Sequence, residues 1–215
     1  MAETPNTFTT YSQEPIRPVK FKVTTPAETD PVTLEEAKLH LKVDTDADDA
    51  LITQVISSAT EYAEAFQKKA YVTRSISVFL DDVPVTGQEI ILPLIPLVEP
   101  TAEDASSELA ITIKQSDVDV VVDPSQYDVD YQDGKVKINS SWAPVYDAAK
   151  LPHYNAVVID VVVGYGAAAD VPAKVKQAIL LIIGHLYEHR SDTGDGKSQS
   201  IPLGAERLLW QDRNF

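Results

Sequence analysis

Apolar positions along this chain recur with a helical period near both ends and with a period of about two in the middle. The first helical stretch is PVTLEEAKLHL, where Leu34, Ala37 and Leu41 are spaced by three and four residues. Thr33 and Glu36 have the spacing of a capping box, so the pattern predicts a helix over 34–41. A second helix is predicted over 47–68. Its core stripe is Leu51, Ile52, Val55, Ile56, Ala59, Tyr62, Ala63 and Phe66, and the acidic residues at its start complement the helix dipole. A third is predicted over 172–190, with Val175, Ala178, Ile179, Ile182, Ile183 and Leu186 on one face. Asp170 is its expected cap, and Pro172 suits a first turn that needs no N–H.

Between these helices, 71–166 reads as strands. VTRSISVFLDD, QEIILPLIPLV, LAITIKQ, DVDVVVD, YDVDYQDGKVKIN and NAVVIDVVVGYG are short, β-branched and broken by Pro, Gly and Asp. Asp133-Gly134 is a hairpin signal, because both residues tolerate positive φ. The block reads as an antiparallel sheet inserted between helices, and the fold class as α+β. Prolines 93, 96 and 100 make ILPLIPLVEP an edge strand or extended strap, covered either by a neighbouring subunit or by its own.

The expected organisation is a flexible arm over 1–31, a domain over 32–191, and a flexible loop with a C-terminal segment over 192–215. The arm reads either as a disordered tail or as a strap that orders on a partner.

Composition narrows the function classes. With 33 acidic and 18 basic residues the formal net charge is −15, which opposes binding to a phosphate backbone. The absence of cysteine excludes disulfides, thiolate metal sites and thiol nucleophiles. No apolar run reaches the ~18 residues of a membrane span, and the polar opening residues lead us to expect no signal peptide and no membrane partner.

Three stretches invite a chemical reading. His185, Glu188 and His189 in GHLYEHR have the H-x-x-E-H spacing of the inverted zinc peptidases, with Glu206 the one tempting downstream carboxylate for a further ligand. The motif ends a core helix and precedes a Gly/Ser loop, so we read it as a helix terminus where His and Arg190 meet the negative end of the dipole. DTDADD starts like a calcium loop, but Asp49 and Val55 stand where Gly and Glu are required. GYGAAAD has Ala169 where a dinucleotide fingerprint needs its third glycine. No catalytic residue, metal ligand or cofactor is therefore assigned, and the chain is not expected to be an enzyme.

The order of features from about residue 31 to 211 resembles the head–tail connector (adaptor) proteins of long-tailed bacteriophages. TLEEAKLHL matches that family's T-L-x-E-A-K-x-H-L helix, and DTDADDALI its acidic D-x-D-D-x-x-L-I helix start. ILPLIPLVEP is similar to its L-P-x-x-P-L strap, GHLYEHR to its A-H-x-Y-E-x-R helix end, and IPLGAERLL to its P-x-G-x-x-x-L-L terminus. His189 departs from that pattern. The resemblance implies a helical bundle core with a β insert, assembled as a ring, usually dodecameric, under the portal in the neck of the virion. Such a ring extends the DNA channel without binding DNA specifically and offers a docking surface to the tail or its stopper. It also implies that Leu203, Leu208, Leu209, Trp210 and Phe215 bind the portal, with Trp210 either an anchor there or packed on its own domain. A tail-side ring protein resembling a tail terminator and, behind it, a zinc hydrolase are the alternatives.

Overall fold

The computed structural model describes residues 14–17, 20–101, 107–189, 202–211 and 213. Helix α1 (Leu34–Leu41) starts where the sequence chemistry puts it. The Thr33 hydroxyl accepts from the Glu36 amide at 3.2 Å, and the Glu36 carboxylate accepts from the Thr33 amide at 2.9 Å. It stops at Lys42, which takes a left-handed conformation. Helix α2 (Asp49–Gln67) buries Ile52, Ile56, Ala59 and Ala63, a repeat of four, three and four that lays one stripe along its length. The acidic residues at its start do more than meet the dipole: the Lys38 ammonium of α1 lies 2.7 Å from both Asp46 and Asp49 and ties the two helices at their corner. Helix α3 (Ala173–Glu188) buries Val175, Ala178, Ile179, Ile182 and Ile183. Its cap position is Pro172, and the expected cap Asp170 instead accepts from the Ala167 amide at 2.9 Å one turn earlier. Helix α4 (Leu203–Trp210) buries Ala205 and Leu209.

The β residues form two sheets where a single inserted sheet was expected. Strands β1 (Phe21–Thr25), β2 (Arg74–Leu80), β8 (Val157–Val163), β4 (Ala110–Ile113) and β5 (Val120–Val121) lie side by side in that order, with every pairing antiparallel. Strands β3 (Glu89–Ile91), β7 (Lys135–Ile138) and β6 (Tyr127–Asp130) make the second sheet. Gly134, at φ +66, closes the β6–β7 turn as the Asp-Gly signal predicts. Strand β1 comes from within the segment expected to be a flexible arm; residues 1–13 lie outside the described residues. All five β1 residues are exposed, so the strand lacks the in–out alternation that would reveal it in sequence.

Two hydrophobic cores result. One lies between the sheets around Ile76, Val78, Ile111, Val136 and Ile159, and the other joins α2, α3 and α4 around Ile52, Ile56, Ile179 and Ile182. The proline strap is covered by its own chain: Leu92 and Leu97 are buried, and the Val98 amide donates to Val162 at 2.9 Å. The strap also bonds to two of the three passages that run between the sheets and the helices, those over 68–73 and 164–172. Ala70 donates to the Ile95 carbonyl at 3.0 Å, and Gly164 donates to the Pro96 carbonyl at 2.9 Å. Tyr165 donates to Tyr71 at 3.0 Å and Thr73 to Gly166 at 2.9 Å, pinning the outgoing passage to the returning one.

Candidate docking surface

The C-terminal helix is the element whose exposed and buried faces differ most in consequence. Leu209 and Ala205 are fully buried against α2 and α3, and the Gln67 side-chain amide donates to the Leu209 carbonyl at 2.6 Å. A carbonyl in the last turn of a helix lacks its usual i+4 donor; here the Gln211 amide and the Gln67 side chain both donate to it, so its burial is compensated. Gln67 is itself held by the Tyr71 hydroxyl, which donates to its Oε1 at 2.7 Å. Burial pushes the Tyr71 phenol far above the ordinary tyrosine range, and the nearby charges of Glu64 and Tyr165 add to the shift. The hydroxyl therefore stays a donor at any physiological pH.

The other side of α4 faces outward. Leu203 is 67% exposed and Trp210 54%. Trp210 nevertheless touches its own domain: its ring lies 6.1 Å from Phe66 at 57°, and Phe66 stacks on Tyr62 at 6.3 Å. The Arg213 guanidinium lies 4.9 Å from the Phe66 ring centre and 5.2 Å from that of Trp210. Tyr62, Phe66 and Trp210 thus make an aromatic row on the outside of α2 and α4, with a cation over part of it. Burial raises the Tyr62 phenol, and the charge of Glu206 on α4 raises it further.

The sequence candidates therefore divide. Leu203 and Trp210 are available to a partner, Leu208 is half-buried, Leu209 is committed to the core, and Phe215 lies outside the described residues. Phe66, Tyr62 and Arg213 join the row without having been singled out in sequence; only the helical stripe of α2 signalled the first two.

The histidine pair has a local explanation. His189 falls just past the end of α3, its ring nitrogen Nδ1 lies 3.0 Å from the His185 carbonyl, and the two rings are 4.7 Å apart. Among the described residues no three His, Asp or Glu side chains come together in a way that could hold a metal ion. The carboxylates of the calcium-like stretch are engaged by Lys38 at Asp46 and Asp49. Among the described residues no helix is long and apolar enough to cross a membrane.

Comparison with known proteins adds to this geometry. Residues 31–118, which hold α1, α2 and β2 to β4, match the model of a family described as phage gp6-like head-tail connector protein. No curated protein matches the chain. Among solved structures, the fold is similar to a chain in the neck of an empty GTA particle computed with C6 symmetry, with a TM-score of 0.70 and 20% identity over 91% of this chain and 96% of that one. It is similar also to a chain in the neck of a native GTA particle computed with C12 symmetry, with a TM-score of 0.69, 20% identity and the same coverage. A chain of the virion of a native gene transfer agent particle gives 0.67 and 19% identity over 91% and 95%. At these identities the likenesses establish the fold: a mixed helix and antiparallel-sheet architecture shared with neck proteins.

Proposed function

We propose, from the match of residues 31–118 to the phage gp6-like head-tail connector family, that the chain is a structural connector placed between a phage head and its tail. The protein assembles as a ring beneath the portal, lengthens the DNA channel and presents a docking surface to the tail or its stopper. The single observation that carries this reading is the connector match over the segment holding the α1–α2 corner. The symmetric necks in which similar chains stand give support for a ring. The charge of −15 agrees with a channel component, since DNA must move past it without being held. Its role is assembly and not catalysis.

Portal attachment falls to the outer face of the C-terminal segment, with Leu203 and Trp210 as its exposed apolar contacts. Interface anchors favour large aromatics that become buried on binding, and Trp210 has exposed surface left to bury. Leu209 contributes indirectly, by seating the helix. The test is co-sedimentation of the purified protein with tail-free, DNA-filled heads, with copies per head quantified. A ring-sized copy number supports the reading. A folded protein that ignores heads and binds isolated tails overturns it in favour of a tail-side ring.

A further inference from the structure

The two edges of the five-stranded sheet carry matching sequences of opposite charge. At one edge the chain reads Lys20-Phe21-Lys22-Val23, with Phe21 42% and Val23 38% exposed. Phe21 stands opposite Val78 and Val23 opposite Ile76, both buried, so the two apolar side chains lie on the core side of the sheet at an end where the core is uncovered. Among the described residues β1 pairs only with β2, and its outer edge has no strand. At the other edge the chain reads Asp117-Val118-Asp119-Val120-Val121-Val122-Asp123, with Val118 69% and Val121 71% exposed. Among the described residues strand β5 pairs only with β4.

Beside β5 the exposed apolar surface continues. Val145 is 88% and Tyr146 37% exposed, in a loop fixed to the β4–β5 turn. The Asp147 amide donates to Gln115 Oε1 at 2.7 Å, and the Ser116 amide to the Lys150 carbonyl at 3.1 Å. Asp117 and Asp119 do meet Lys150 and Lys114, but these pairs are open to water and each carboxylate retains acceptor capacity for a second cation.

We propose that the β1 edge of one copy docks against the β5 edge and the 145–146 loop of a second copy of this chain. The inference deepens the ring reading by naming the subunit contact. An edge with two lysines and two apolar side chains meets one with three aspartates and two exposed valines. Lys20 also meets Asp81 at 3.6 Å and Asp123 accepts from the Ser125 amide, but the Lys20–Asp81 pair is open to water, so charge and hydrophobicity remain complementary between different surfaces of the same molecule. Contact between unlike surfaces is head-to-tail, and head-to-tail contact is what closes a cyclic ring. The contact is made by side chains and not by continuing the sheet. Four strand-to-strand steps at ~20–25° each rotate β5 by roughly 80–100° from β1, so a sheet continued from copy to copy would wind into a helix and not close a ring.

The native chain has no cysteine, which makes thiol cross-linking specific. Two double variants, Val23→Cys with Val121→Cys and Phe21→Cys with Val118→Cys, are bound to tail-free heads and treated with a short bis-maleimide. Covalent multimers extending beyond dimers are expected for at least one pair, whereas each single variant stops at the monomer or dimer. Head-bound protein at ring copy number with no multimers from either pair overturns the edge contact and leaves the connector reading standing. If the variants and the native chain all fail to bind heads, the connector reading fails instead. The same cross-linking in concentrated solution then decides the contact: a ladder supports it, and monomer alone overturns it.

Discussion

The Gln67 amide donates to the Leu209 carbonyl across 142 residues of chain, at 2.6 Å and wholly out of water. Replacing Gln67 with Ala removes one of the two donors to that carbonyl, the other being the Gln211 amide, and leaves the Tyr71 hydroxyl without its acceptor. An orphaned buried hydroxyl costs about 1–3 kcal/mol, and a loss of that size is expected. Urea unfolding measures the loss, and faster amide exchange within α4 locates it. A uniform loss of protection across the chain would instead assign the bond to the global fold.

Leu209 and Trp210 are sequence neighbours with separable roles. Leu209→Ala opens a cavity in the helical core and should cost about 2–5 kcal/mol. Trp210→Ala, with more than half of the side chain already in water, should cost little stability but sharply reduce copies bound per head. Parallel unfolding and head co-sedimentation of the two variants distinguish the roles. Trp210→Ala that unfolds early yet binds heads normally would make this residue part of the core alone.

Two carboxylates should respond to pH with opposite signs. Burial raises Glu64 above its usual 4.5 despite the Tyr71 amide and the Arg74 guanidinium, both of which donate to it. A raised folded value means the native state holds its proton more tightly than the unfolded chain, so stability falls as pH rises from 4.5 through the folded value. The wild-type advantage over Glu64→Gln should therefore shrink across that window. Urea midpoints from about pH 3 to 8 test it, and a constant difference would show that Glu64 titrates alike in both states.

Asp46 is held below its usual 3.8 by the hydrogen bond from Lys38 and by that residue's charge. Its contribution is present above 3.8 and is lost as pH falls through the lower folded value. Against Asp46→Asn, the wild type should therefore lose advantage on acidification, the reverse of Glu64→Gln.

Gly164 sits at φ +132, where an added Cβ would lie 2.7 Å from the Thr73 backbone. Gly164→Ala combines left-handed strain with a backbone clash, and it should lower stability by more than about 1 kcal/mol. Thermal unfolding measures this. An unchanged midpoint would mean that the Thr73 passage moves freely.

Local chemistry was legible in the sequence, and long-range chemistry was not. The Thr33–Glu36 capping box, the Ile52–Ile56–Ala59–Ala63 stripe and the Asp133-Gly134 turn depend on residues within a few positions, so spacing alone reveals them. Strand β1 escaped notice because an edge strand exposed along its length has no alternating burial to imprint on its sequence. Gln67 reads as a surface residue, since nothing nearby in sequence announces that its partner is Leu209. Lys38 likewise finds Asp46 and Asp49 only once the α1–α2 corner forms. The docking surface was half legible: the apolar residues of α4 stand out by period, but which of them the domain keeps for itself is decided by α2 and α3.

Two of the backbone passages that connect the cores, the stretch around Ala70–Thr73 and the return at Gly164–Gly166, are bonded to each other and to the strap at Ile95–Pro96. A force applied to the sheets and resisted at the helices reaches both passages together, and their bonds to each other and to the strap share the load. The joint is therefore braced: a pull on the sheets is carried to the helices by bonded backbone as well as by the covalent chain.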